Sequence, residues 1–206
     1  NAAITGTGGF AKDGEGTLTL SGANTYSGGT SVSAGTLALG ASSVLLSSGA
    51  VTVGGGTLSL GGYSNTVGSV SLTSGSITGS GGTLTSAAAY DVQAGSVSAI
   101  LAGSVGLTKT TSGTVTLSGA NTYNGTTTIS GGTLTASSSS ALGSGALSIG
   151  SGATLSSGSL GVGAVTLTGG ANIILNGIAN QITSTGAVAI SGSTNSLSVG
   201  GAAGLA

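Results

Sequence analysis

The sequence predicts an all-β protein, a parallel β-solenoid of roughly ten turns of about 20 residues each. Three observations carry this. Apolar residues alternate with small ones at period two. A Gly-Thr-Leu corner returns at intervals near twenty residues. A long segment also occurs twice, and such self-similarity is the signature of a repeat architecture. Lys12 to Gly40 reads KDGEGTLTLSGANTYSGGTSVSAGTLALG, and Lys109 to Ser137 reads KTTSGTVTLSGANTYNGTTTISGGTLTAS. Within these, residues 20–26 and 117–123 are the same Leu-Ser-Gly-Ala-Asn-Thr-Tyr, 97 positions apart.

The strands come first. Leu18 and Leu20 flank Thr19, and Leu37 and Leu39 flank Ala38. The same spacing recurs at Val51/Val53, Leu58/Leu60, Val70/Leu72, Val105/Leu107, Val115/Leu117, Leu147/Ile149, Val165/Leu167, Val188/Ile190 and Leu197/Val199. Period two sends alternate side chains to one face of a strand. The intervening Thr, Ser, Ala and Gly suit an outward face, and β-branched Thr favours a pleated surface. No stretch shows helical spacing, and Gly falls too often for a helix to persist.

Corners follow the strands. Gly-Thr-Leu stands at Gly16, Gly35, Gly56, Gly82 and Gly132, with the variant Gly-Thr-Val at Gly113. Gly supplies the positive φ that tight corners need. Asn24 and Asn121, at one motif position, are expected at a corner too, in the left-handed region and bonding their own backbone. Tyr26 and Tyr123 are expected to pack at a corner. Tyr63 and Tyr90 lie outside the motif, where packing is again the reading and an exposed contact aromatic the alternative.

Composition fits a solenoid and excludes much else. Gly makes up 44 of 206 residues, and the chain has no Pro, Cys, His, Met or Trp. Such a chain could be a flexible coil, but its mean hydropathy of +0.52 and its patterned apolar residues argue against disorder. A solenoid pairs its backbone polar groups between turns, tolerates no Pro in the ladder and disfavours stacked like charges. A β-sandwich gives no reason for the recurring corner, and this much Gly opposes the dry zippers of amyloid. Absence of Cys leaves the compartment open. No basic-then-apolar leader opens the chain, and the most apolar stretch, Ala171 to Leu175, is too short to cross a bilayer as a helix. A net charge of −1 leaves no footprint for nucleic acid or anionic lipid.

The residues also argue against catalysis and metal binding. Lys12, Asp13, Glu15, Asp91 and Lys109 are the entire charge inventory. Asp13 and Glu15 beside Lys12 read as a solvated corner cluster in preference to a glycosidase pair. Serine without a base is an ordinary hydroxyl. Zinc sites need Cys or His, calcium β-rolls need Asp in each repeat, and Gly54-Gly55-Gly56 lacks the Gly-Lys-Ser/Thr of a phosphate loop. The expectation is therefore no enzyme, no catalytic, cofactor-binding or metal residue, and no cofactor. Thr-x-Thr occurs at Thr17/Thr19, Thr83/Thr85, Thr114/Thr116, Thr126/Thr128, Thr133/Thr135 and Thr166/Thr168. Regular Thr ladders on a flat face can bind ice, but the irregular spacing favours plain outward strand positions.

The string from Gly16 to Gly40, and its second copy from Ser112 to Leu134, resemble the autotransporter-associated β-strand repeat, also called the passenger-associated transport repeat. The stretch Asp91 to Lys109 resembles the segment that precedes such repeats, and Gly-Phe-Ala-Lys at 9–12 parallels Gly-Leu-Thr-Lys at 106–109. The resemblance implies a right-handed parallel β-helix in the passenger of a Gram-negative autotransporter or a related large surface protein. Such passengers cross the outer membrane unfolded and fold outside, and the repeat is a stem element without catalytic residues.

Neither Ala2-Ala3-Ile4 nor Ala202–Ala206 reads as a polar cap, so 1–206 is expected to be one continuous segment of a longer chain or filament, with related units at about 1–97 and 98–206. The expected function is a structural stem or adhesive shaft, extracellular or on the outer-membrane surface. The rivals are a filament subunit that stacks solenoid ends and an ice- or glycan-binding solenoid. Expected partners are neighbouring solenoid segments and host or matrix surfaces, with no nucleic acid and no membrane insertion by this segment.

Overall fold

The structure is a computed structural model that describes residues 2–158 and 160–175 and the strand backbones of Ile182–Ser184, Val188–Ser191 and Ser196–Val199. Among the described residues all regular structure is strand, stacked in parallel as a β-solenoid of about nine turns.

Two long ladders run along the axis. The first stacks Phe10–Lys12, Thr30–Val32, the start of Ala50–Ser59, the start of Ser69–Thr78, Tyr90–Val92, Leu107–Lys109, Thr127–Ile129, Leu147–Ile149, Val165–Thr168 and Val188–Ser191. The second stacks Thr17–Leu20, Thr36–Leu39, the ends of the same two long strands, Gly95–Val97, Thr114–Leu117, Thr133–Ala136, Thr154–Ser157, Asn172–Leu175 and Ser196–Val199. A third, shorter ladder joins Asn65–Val67, Thr83–Ser86 and Ile100–Ala102, and Leu160–Val162 pairs with Ile182–Ser184.

The core is the column these ladders enclose. Leu37, Val53, Leu58, Leu72, Ile77, Val97, Leu107, Leu117, Leu134 and Leu155 have no appreciable exposure, as period two predicts. Leu18 departs from the pattern at 42% exposed, because its strand pairs on one side only. The strands holding Val188/Ile190 and Leu197/Val199 are present, but those side chains lie outside the described residues, as does Ala202–Ala206.

Five coils separate the two copies of the motif, and the faces treat the repeat differently. On the first ladder the register chain from Phe10 leads through Thr30, Val51, Val70 and Tyr90 to Leu107, its counterpart in the second copy. On the second ladder Leu18 leads through Leu37, Leu58, Ile77 and Val97 to Leu117, the counterpart of Leu20. The slip arises mainly in one coil, which the first ladder closes in 17 residues (Tyr90 to Leu107) and the second in 20 (Gly95 to Val115). A shift of two residues keeps every inward side chain inward, so the fold tolerates it.

Three sequence expectations need correction. Lys12 is not solvated: it points into the core column at 6% exposure, while Asp13 and Glu15 are exposed. Asn24 and Asn121 do not take the left-handed region, where Ser43 is the one non-Gly residue described; their side chains bond neighbouring coils. Gly16, Gly35 and Gly132 have positive φ as predicted, but at two corners it falls one residue earlier, on Gly55 and Gly81.

Candidate functional site

Several polar groups that reach the interior hold a corner in shape or bond one coil to the next. Lys12 follows Phe10 by two residues on one strand, so alternation carries it inward with the core. Its Nζ donates to the Gly14 and Ala34 carbonyls, the latter at 3.1 Å. Lys109, fully buried at the equivalent place, donates to the Thr111 carbonyl, the counterpart of Gly14. Each ammonium thus satisfies corner carbonyls that the turn leaves without a ladder partner. Burial lowers the Lys109 pKa, because desolvation disfavours the charged form.

Asparagine amides replace backbone links on the third face. Asn24 Oδ1 accepts from the Ile4 amide at 2.8 Å, and its Nδ2 donates to the Val44 carbonyl at 2.8 Å, so one side chain bridges the coils on either side. Asn121 repeats this, accepting from Leu101 at 2.8 Å and donating to Ala141 at 2.6 Å. Asn65, outside the motif, accepts from the Val44 and Leu45 amides. Motif position alone conceals this role, because the partners lie about one coil away in sequence.

The tyrosines divide as expected for two and decisively for the others. Tyr26 and Tyr123 are buried and share hydroxyl hydrogen bonds with Thr30 and Thr127, at 2.5 and 2.8 Å. Tyr90 is buried, with its ring 6.1 Å from that of Tyr123. Its hydroxyl accepts from the Ser86 and Ala102 amides and donates its one proton to the Leu84 or Ala102 carbonyl. Tyr63 is 41% exposed, against the packing expected for it.

Burial pushes the Tyr90 phenol up to about 12 from 10.0, and raises Tyr123 likewise. Above pH 10 the unfolded chain releases these protons first, so it binds fewer protons than the folded chain. Stability from the two phenols is therefore complete below the unfolded value and falls as pH climbs toward the folded values. Lys109 acts oppositely below 10.5, where the unfolded chain holds the extra proton and stability rises with pH. Denaturation midpoints measured from about pH 9 to pH 12 should fall steeply at the upper end, and Tyr90→Phe should flatten the fall. A wild-type curve flat across that range would contradict the burial of both phenols.

The carboxylates do not converge. Asp91 is half-buried on the outer face of the first ladder, accepting from Ser71 Oγ at 3.1 Å and from Gln93 Nε2, whereas Asp13 and Glu15 lie on the first coil. Among the described residues no group of three or more His, Cys, Asp or Glu could hold a metal ion. The hydroxyl pairs are more regular than their sequence spacing indicates. Thr114, Thr133 and Thr154 form one outward file, and Thr116, Thr135 and Ser156 form the next.

One concavity stands out on the third face. A cleft of about 560 Å³ opens beside Asn121, between the loop at Ser139–Ser144 and Gly161 and Val162 of the following coil. Among the described residues its hydroxyls come from Thr122, Ser139, Ser140 and Ser144, and none of its described lining residues is ionisable.

These features define a class: a near-neutral, parallel β-solenoid in which buried asparagines fasten successive coils. The comparisons then place the two copies. The family model of the passenger-associated-transport-repeat matches residues 10–39 and 107–136. The chain thus carries this repeat twice, each copy running from the first-ladder strand at Phe10 or Leu107 to the end of a second-ladder strand one coil on. No curated protein and no solved structure matches the chain.

Proposed function

We propose that the chain is a stem segment of a Gram-negative surface protein, a rod that extends and presents the passenger and catalyses nothing itself. The observation that supports this best is that both repeat matches are built into one uninterrupted pair of ladders, so the repeat serves as a structural unit of the rod. Asn24 and Asn121 serve coil-to-coil bonding, and the carboxylates are dispersed. Stability in such an array grows with the number of coils, which suits a chain that folds after crossing a membrane. Fused ahead of an outer-membrane β-barrel, the chain is expected to reach the cell surface and resist protease there. Retention in the periplasm, or digestion at the surface as an unfolded chain, would overturn this reading.

A further inference from the structure

The cleft beside Asn121 belongs to the second copy of the motif, where the loop differs from that of the first. The loop that follows the repeat reads Val44-Leu45-Leu46 in the first copy and Ala141-Leu142-Gly143 in the second. Leu46 is half-buried and folds against Gly49, whose Cβ position lies 3.2 Å from the Leu46 Cβ. Gly143 puts no side chain there. It takes φ of 64°, and a Cβ on it would lie 2.2 Å from the Tyr123 carbonyl oxygen, so this backbone path excludes any larger residue. Thus the motif is copied while the loop behind it differs in backbone and side chains.

The hollow is braced from below. Asn121 clamps its inner side through Leu101 on one coil and Ala141 on the other, and Tyr123 packs beneath Gly143, its Cδ2 3.0 Å from the Cβ position. Gly143 and Val162 form a buried floor, while Thr122, Ser139, Ser140 and Ser144 are exposed along the rim. A volume of this order suits a small ligand or one unit of a polymer, and a preformed cleft loses little entropy on binding.

The lining chooses the chemistry. Without an ionisable side chain, the cleft offers no compensation to a phosphate, carboxylate or ammonium that would have to shed water. Its four hydroxyls both donate and accept, over a floor of glycine backbone and valine. The matching ligand is uncharged, carries hydroxyls at its edge and presents an apolar ring face. We propose that this cleft binds a pyranose unit of a neutral polysaccharide. The proposal builds on the surface-stem reading and gives that shaft an adhesive site.

The test uses the whole chain and neutral trisaccharides of glucose, mannose and galactose, followed by amide chemical shifts. At least one sugar should move Thr122, Ser139, Ser140, Gly143 and Ser144 saturably. Ser144→Trp, which fills the cleft from an exposed position, should weaken binding at least tenfold. Ser47→Trp, in the corresponding loop of the first copy, should leave it unchanged. Thr122→Trp replaces Ser144→Trp if that variant loses its strand circular dichroism. No saturable shift with any sugar, equal binding by a folded cleft-filling variant, or shifts only with a charged polymer such as heparin would each overturn the site. Export of the barrel fusion is measured separately, so loss of sugar binding in an exported, protease-resistant chain refutes the cleft and leaves the stem intact.

Discussion

Leu117→Asp should cost at least about 4 kcal/mol, because it leaves an unpaired carboxylate in the middle of the core column. Leu117 has no exposure, with Val97 in register on one side and Ala136 on the other. Each neighbour lies about 4.8 Å along the axis, so a charge there meets apolar side chains in both directions. The same change at Leu20 should cost less, about 2 kcal/mol, since that residue is 5% exposed on a coil with one free edge. In a nearest-neighbour array a defect in the centre separates two blocks of coils, whereas one at the end only frays it. Denaturant titration followed by circular dichroism should therefore show Leu117→Asp unfolding in separated steps and Leu20→Asp in a single, earlier transition. If both variants matched the parent midpoint, the inward assignment of this column would be wrong.

The second large effect is expected at a corner. Gly132 has φ of 65°, and a Cβ there would lie 2.3 Å from the Gly113 carbonyl oxygen and 2.5 Å from that of Thr111. Thr111 is the acceptor of the buried Lys109 ammonium. Gly132→Val thus combines a left-handed backbone penalty of about 1–2 kcal/mol with a clash against backbone that cannot rotate away. A total of about 3–5 kcal/mol follows. Gly152 is the control: its φ is 73°, but nothing lies within 4 Å of its Cβ position. Gly152→Ala should lose only about 1 kcal/mol. Equal losses at the two sites would show that backbone conformation alone sets the cost and that the coils do not approach as closely as described.

These two residues mark what could be read in advance. Leu117 belongs to an apolar pair around one small residue, and such a pair forms one face wherever it becomes a strand. Gly132 opens a recurring Gly-Thr-Leu corner, and a tight turn there requires a residue without a Cβ. Lys12 and Lys109 were legible by the same alternation, since Phe10-x-Lys12 and Leu107-x-Lys109 place them inward. For Lys12 the neighbouring carboxylates suggested solvent instead, because the carbonyls that receive the ammonium cannot be found along the chain. Asn24 and Asn121 show the harder case. A residue that can cap its own turn can equally bridge two coils, and only the neighbouring coil decides between these.

The candidate site was less legible than the fold. The cleft is lined by loop residues outside the repeated block, Ser139 to Ser144, and by Gly161 and Val162 arriving from the next coil. The Thr files gave a similar surprise, because coils of unequal length bring irregular sequence spacings into register.

By itself the sequence determined the strands, the corners, the apolar column and the repeat, because each follows from alternation and backbone freedom within a few residues. Tertiary structure alone decided the slip of two residues on one face, the carbonyls that receive the two lysines, the asparagine bridges and the cleft. Each of these depends on which residues meet across a gap of about 20 positions. Coil length sets that meeting, and it is a property of the whole turn that no local pattern records.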